Sequence, residues 1–296
     1  MYRTIRSYYP FVLTLLVFGL VTTEISIASG KRHKTISYSN ERELKVTVDA
    51  GFGDVTIAKA SNSNIVEATI DTENSVNLDN CVDYEIRDKV GFLNFSNNPD
   101  EDSKKNVKKT KFHLDMESTD SWLNITDAVP VSFDLQLGVG KALLDMTGLS
   151  VKDLNLSTGA SSVIMRFDEP NKSTIEDMSI EAGLSKFHGT NLCNANFNNF
   201  KFEGGLGTYT LDFGGKLDHD VDVNIEIGLG SITIIVPKNI GVKVYCEKTW
   251  ISHLSIDDDF REKEDDTYYT PNYKSASGTM NMHVEAGMGS VRIQRD

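Results

Sequence analysis

Apolar and polar residues alternate along much of this chain, and the alternation is interrupted at a recurring point. In VNIEIGLGSITIIV, Val223 to Val236, apolar side chains occupy every second position through Val223, Ile225, Ile227 and Leu229, then resume at Ile232, Ile234 and Val236. Period-two alternation predicts strands with one buried face, so these residues are read as pointing inward. The step from Leu229 to Ile232 is three residues, which inserts one residue beside the glycines. Such a slip sends every later side chain to the wrong face unless the backbone bends, and glycine allows a bend at least steric cost. The pattern predicts strand, corner, strand.

The same phrase occurs seven times: VDAGFGDVTI, LQLGVGKALL, LSTGASSVIM, IEAGLSKFHG, FEGGLGTYTL, IEIGLGSITI and VEAGMGSVRI. Its anchoring glycines, the expected structural corners, are Gly51, Gly138, Gly159, Gly183, Gly205, Gly228 and Gly287. From Gly138 to Gly228 they stand 21, 24, 22 and 23 residues apart, whereas the first gap is 87 and the last 59. A unit of about 22 residues with two short strands cannot bury its own apolar face, but a stack of copies shares one core and pairs backbones at ~4.8 Å. The expected fold is therefore all-β, a β-solenoid of short strands with GxG corners. A propeller blade needs about 40 residues, and a sandwich needs no such phrase.

The irregular ends read as caps, which a solenoid needs to cover its unpaired terminal strands. Residues 36–130 are expected to form an N-terminal β region capping the solenoid, with strands at IVEATI, VDYEIR and GFLNFS and a charged linker at DEDSKKNVKK, residues 100–109. Residues 131–240 hold the central repeats, preceded by Pro130, which suits a strand's start or an edge. Residues 241–296 supply closing strands around an acidic loop, DDDFREKEDD, at 257–266.

Residues 1–28 have another character. Arg3 and Arg6 precede an apolar run from Phe11 to Val21, and Ser26-Ile27-Ala28 provides small residues for cleavage, the pattern of a secretory signal peptide. The run is shorter than the roughly 20 residues of a membrane span, and Glu24 interrupts its end. Removal of the segment takes away Arg3, Arg6 and Glu24, so the formal charge of −13 becomes −14. That acidity argues against nucleic acid and anionic lipid as partners. The three cysteines, Cys81, Cys193 and Cys246, are too few and too dispersed for a disulfide framework or a metal site.

Candidate chemistry is sparse. The GxG pairs lack the third glycine and the following helix of a dinucleotide fingerprint, and GVGKALLD lacks the spacer of a phosphate loop. In GLGS and GMGS the serine follows both glycines, unlike a nucleophile elbow. The six histidines are scattered without ligand spacing. The sequons at Asn124, Asn155 and Asn171 are formal matches on strand or turn positions. One column stands out, formed by the residue two before each anchoring glycine: Asp49, Gln136, Ser157, Glu181, Glu203, Glu226 and Glu285. If Glu181, Glu203 and Glu226 lie on successive rungs they repel one another unless solvent or a cation intervenes, which makes them a weak cation candidate with no basic partner in their own column. No catalytic residue and no cofactor is expected.

The run from Trp122 through VPVSFDLQLGVGKALLDMTGLSVKDLNLSTGASSVIMRF, with GLGSITIIVPKNIGVKV and VEAGMGSVRI, resembles the toast-rack β-solenoid domains of bacterial envelope proteins, especially the C-terminal domain of LiaF-like antibiotic-response proteins. GFGDVTI is similar to the related adhesin-type solenoids. The resemblance covers most of residues 40–296 and implies an envelope protein without known enzymatic activity. LiaF-like proteins carry membrane helices before the solenoid, whereas this chain shows the signal-peptide pattern. The expectation is a non-enzymatic exported module, in the periplasm, at the cell surface or outside the cell, that binds an envelope or cell-surface protein or glycan. It touches membrane only if the N-terminal segment is retained. The alternatives are a glycan-active β-helix enzyme and a LiaF-like accessory in the envelope stress response.

Overall fold

The computed structural model describes residues 23–28, 30–72, 78–97, 119–247 and 252–296. Of the expected signal peptide, residues 1–28, residues 1–22 lie outside the described residues, as do the linker at 100–109 and Trp250. The N-terminal region holds β1 (Thr23–Ala28), β2 (Lys31–Ser37), β3 (Glu43–Phe52), β4 (Val55–Lys59), β5 (Asn64–Asp71), β6 (Val82–Arg87), β7 (Val90–Ser96) and β8 (Asp120–Ile125). Long strands follow: β9 (Val131–Asp145), β10 (Val151–Arg166), β11 (Ile175–Thr190), β12 (Phe197–Asp212) and β13 (Val221–Val236). The chain ends with β14 (Gly241–Glu247), β15 (Ser252–Ile256), β16 (Arg261–Glu264), β17 (Thr267–Tyr269) and β18 (Thr279–Arg295). Helical residues among those described are confined to single turns at Leu78–Cys81 and Leu192–Ala195.

The protein is an all-β solenoid. Strands β9 to β13 pair parallel and in register, so Leu135, Leu156, Ile180, Phe202 and Ile225 stack directly above one another. Each is one long strand bent into two arms. In β13 Val223, Ile225 and Ile227 on the first arm and Ile232, Ile234 and Val236 on the second are all buried. The arms face a shared interior, since Phe202 on the first arm of β12 meets Tyr209 on the second at a ring separation of 5.2 Å. Connecting turns close the third side; Phe213, for example, packs 5.5 Å from Phe200. Each fully buried Leu, Ile or Phe side chain contributes about 1.5–3 kcal/mol, which makes this shared interior the main stabilising element.

Two details of the corner differ from the sequence expectation. Leu229 does not point inward: it is 43% exposed, and Val139, Leu184, Leu206 and Met288 at the same position are also exposed, forming an apolar ridge along the bend. The inward register breaks after Ile227 and resumes at Ile232, so the whole GLGS segment turns outward. The unusual backbone is that of the second glycine, with φ of +141° at Gly230, while the ladder to the neighbouring strand is interrupted at the anchoring Gly228. Gly228 is glycine for another reason: a Cβ there would stand 2.9 Å from the carbonyl oxygen of Gly205 on the neighbouring strand.

The irregular gaps in the repeat also have a topological cause. β3 and β4 pair with β9 but also, on their far side, with β7 and β8, which together make a split terminal rung. At the other end β18 lies between β13 and a second split rung, β14 with β15. Antiparallel strands cover these ends: β6 on β7, β5 on β8, β2 and β1 beyond β5, and β17 with β16 on β14. Among the described residues β1 pairs with β2 alone, and β2 also pairs with β5. The expected acidic loop at 257–266 is not wholly a loop, because Arg261–Glu264 forms β16, an edge strand with all four side chains exposed. A fully charged exposed edge is a poor template for unwanted pairing.

The turns between rungs are held by buried asparagines. The Asn171 side chain accepts from the Val151 backbone N–H at 2.8 Å and donates to the carbonyls of Val151 at 2.7 Å and Ala195 at 2.9 Å. Asn194 repeats the device one rung on, donating to the Phe167 carbonyl at 2.9 Å. Asn171 is 9% exposed with its amide engaged, so that sequon is a packing element. All three cysteines are buried, and none of them is in a disulfide bond.

Candidate functional site

The outward residues of the first arms form straight columns, because parallel in-register pairing places equivalent positions on one line. Ser157, Glu181, Glu203, Glu226 and Glu285 occupy successive strands, with Gln136 and Asp49 beyond one end and Glu247 beyond the other. The sequence therefore placed Glu181, Glu203 and Glu226 on adjacent rungs, as the structure has them. Beside this column runs the anchoring-glycine column. The lack of side chains there leaves an open groove of about 990 Å³ along the stack, with glycine on its floor and carboxylates along its wall.

Adjacent glutamates at rung spacing, ~4.8 Å, repel unless each is compensated. The compensation comes from a neighbouring column. Lys201, two residues before Glu203 and so on the same face, places its Nζ 2.6 Å from Glu203 Oε1. The hydrogen bond to Glu203 first, and then attraction by Glu203, Glu226 and Glu181, hold the Lys201 ammonium above the ordinary lysine range. Asn224 donates from Nδ2 to Glu226 Oε1 at 2.9 Å, and Ser157 Oγ donates to Glu181 Oε2 at 3.1 Å. Lys201 and Asn224 escaped sequence reasoning because the column was inspected on its own; the i, i+2 spacing of Lys201 and Glu203 was the available signal.

Among the described residues no group of three His, Cys, Asp or Glu side chains is disposed to hold a metal ion, and Glu181, Glu203 and Glu226 stand in single file. His33 is engaged by the Thr69 and Thr35 hydroxyls, and His219 by the Phe197 carbonyl. Burial first, and then the nearby Asp212 carboxylate, push the Cys193 thiol far above the ordinary range, which leaves it a poor nucleophile. The groove can therefore hold a cationic or hydrogen-bond-donating group at regular intervals. The Ser157 hydroxyl bonded to Glu181 is an exposed contact between neighbouring rungs.

Among the described residues no helix is long and apolar enough to cross a membrane. A family model described as the N-terminal domain of toast_rack matches residues 25–188, more than half of the chain. One described as cell wall-active antibiotics response LiaF, C-terminal, matches residues 188–293. Their boundary falls inside β11, so the two models divide one continuous stack. The crystal structure of a candidate cell adhesion protein from Clostridium sporogenes is 18% identical over 92% of this chain and 100% of its own, with a TM-score of 0.45. A candidate adhesin from Bacteroides fragilis is 13% identical over 90% of this chain and 98% of its own, with a TM-score of 0.33. No curated protein matches. The chain belongs to the toast-rack family.

Proposed function

From toast-rack membership and the geometry of the outward face, we propose that the protein is an exported, non-enzymatic envelope module that acts by binding, adhesion or scaffolding. Its partner is an envelope or cell-surface protein or glycan, met along the first-arm face of the stack. The observation that carries this reading is the glycine-floored groove, whose chemistry repeats rung after rung instead of converging. Glycan cleavage needs an acid and a base placed across one bond. A file of carboxylates already compensated by Lys201, Asn224 and Ser157 offers a periodic contact surface. The exposed ridge of Val139, Leu184, Leu206, Leu229 and Met288 adds apolar contact area along the same axis.

Export is part of the proposal. It rests on the charged start, apolar run and small-residue site of residues 1–28, and on the peripheral place of β1, whose loss leaves β2 paired with β5. The test combines mass determination of the mature N-terminus with capture from envelope extract. A chain starting at Ser29 and a recurrent partner that E203Q/E226Q weakens support the module. A chain that keeps residues 1–28 overturns release from the membrane and selects the second reading, an accessory in an envelope stress response, which the LiaF match favours. Turnover of an envelope glycan by the purified chain overturns both.

A further inference from the structure

Beyond the acidic column the same face opens into a second groove, of about 600 Å³, where β11, β12, β13, β18 and β14 lie side by side. Asp177, Asn199, Asp222 and Asn281 form one column along it, in register on four successive strands. Carboxylate and amide alternate. Asn199 donates from Nδ2 to Asp177 Oδ1 at 3.1 Å, and Asn281 from Nδ2 to Asp222 Oδ1 at 3.2 Å. These bonds fix the side chains and use one oxygen of each carboxylate, leaving a second acceptor on each. Lys243 stands opposite Asn281 at the end of this column and lines the groove, as does Lys201, whose ammonium is held by Glu203.

One end of the groove carries an aromatic shelf. Tyr245 of β14 is 39% exposed, and its ring lies 5.2 Å from that of His283 on β18. The floor between these side chains is strand backbone, since Phe200 and Met282, which alternate with them, are buried toward the interior. A few fixed polar groups beside an exposed aromatic face can hold a small ligand. This one asks for a ligand with particular properties. It must both donate and accept hydrogen bonds, since the second carboxylate oxygens of Asp177 and Asp222 accept and the Lys243 ammonium at the end of the column donates. It must carry no negative charge, since the adjacent glutamate column repels anions, and a neutral ligand meets the Lys243 ammonium without repulsion. It must present a flat apolar face to Tyr245, and it must repeat at about the rung spacing, ~4.8 Å, close to the length of one sugar ring.

We propose that this groove binds an extended, neutral oligosaccharide, with one sugar packed on Tyr245 and the following sugars bonded along the Asp177–Asn281 column. The proposal deepens the binding-module reading and rests on it for the glycan's place in the envelope. The test is calorimetric titration of the full chain with cellohexaose and chitohexaose, their dimers, hexagalacturonate and hexalysine. At least one neutral hexamer binds, more tightly than its dimer and more tightly than either charged hexamer. Y245A weakens that binding about tenfold or more, Y245F leaves it nearly unchanged, and D222A weakens it with the fold intact by circular dichroism.

Absence of binding by both neutral hexamers overturns the proposal. So does equal affinity in wild type, Y245A and D222A, or tighter binding of hexalysine, which would assign the groove to a basic peptide. Capture from envelope extract with Y245A separates the two readings. If the wild-type chain and Y245A recover the same partner while no neutral hexamer binds, the module stands and the glycan groove falls.

Discussion

The middle of the stack and its two ends solve the same packing problem differently. From β9 to β13, and in β18, one strand serves both arms and passes through a glycine corner. In each terminal rung the arms are separate strands, β7 with β8 and β14 with β15, and no glycine phrase is present. The difference shows what the glycines are for. A middle corner must bend sharply while a neighbouring backbone presses against it, and Gly228 and Gly230 both face carbonyl oxygens of Gly205 and Gly207. The terminal rungs have no bent strand to accommodate, so their sequences are free of the phrase, and β7, β8 and β14 are covered by antiparallel strands instead; β3 and β4, parted by only two residues at Gly53, keep the phrase.

The comparison breaks most visibly at a corner. A Cβ on Gly230 would collide with the Gly207 carbonyl oxygen, a backbone atom fixed by the parallel ladder, at a φ of +141° that side chains rarely adopt. Gly230→Ala is expected to lose about 3 kcal/mol or more, from strain and displaced backbone together. In the terminal rung a Cβ on Gly91 meets the Tyr84 hydroxyl, the end of a side chain. Gly91→Ala is therefore expected to cost roughly 1 kcal/mol, mostly by disturbing the Tyr84 hydrogen bond to Glu41. Urea denaturation of both variants checks the ranking; equal losses would mean that backbone approach is not what selects glycine in the middle.

Next comes the turn. Asn171→Ala strips hydrogen bonds from the Val151 N–H, the Val151 carbonyl and the Ala195 carbonyl, all in the regular part of the stack. Buried groups left unpaired cost about 1–3 kcal/mol, and a loss of about 2–3 kcal/mol is expected by the same denaturation. Asn171→Asp keeps the acceptor for Val151 and loses the two donated bonds, so it is expected to recover little.

Acid sharpens the comparison with a smaller effect. In the middle, burial works to raise the Asp145 pKa, but hydrogen bonds from Arg166 and Thr147 outweigh it and hold the carboxyl below the ordinary aspartate range. At the C-terminal end the backbone N–H groups of Asp259 and then Arg295 do the same for Asp257. A depressed folded-state pKa gives stability that is complete above the unfolded value, about 3.9, and is lost as pH falls through the folded value. Stability is expected to be flat from neutral pH to about 5 and to fall below about 4. Asp145→Asn and Asp257→Asn should each flatten part of that fall, by under about 1 kcal/mol for partly solvated groups. Thermal melts at stepped pH measure it.

Much of the fold was legible because a one-dimensional stack repeats its local chemistry. Seven anchoring glycines gave the rungs, and parallel register made the Glu181, Glu203, Glu226 column follow directly from spacing. What escaped was set by contacts that sequence spacing does not encode. The insertion of β18 between β13 and β14 puts Tyr245 beside His283, residues 38 apart in the chain, and so builds the shelf of the second groove. Lys201 was visible but lay one column away from the carboxylates it serves. Leu229 was taken as inward because alternation through Ile227 continues to it in sequence, while the inward register has already ended at Ile227.

That last point yields the smallest expected effect and the sharpest check. If Leu206 were part of the interior, as alternation alone suggests, exchanging it for serine would remove a buried apolar side chain and cost about 2–5 kcal/mol. It is instead 47% exposed at the apex of the bend, four residues after Phe202, which is fully buried. Leu206→Ser is therefore expected to change stability by less than about 0.5 kcal/mol, while Phe202→Ala, which empties a ring packed against Phe187 and Tyr209, loses about 3–5 kcal/mol. A large loss at Leu206 would return the ridge to the core. With Leu206→Ser neutral in stability, any loss of partner capture in that variant reports the ridge as contact surface, since packing has been removed as the cause.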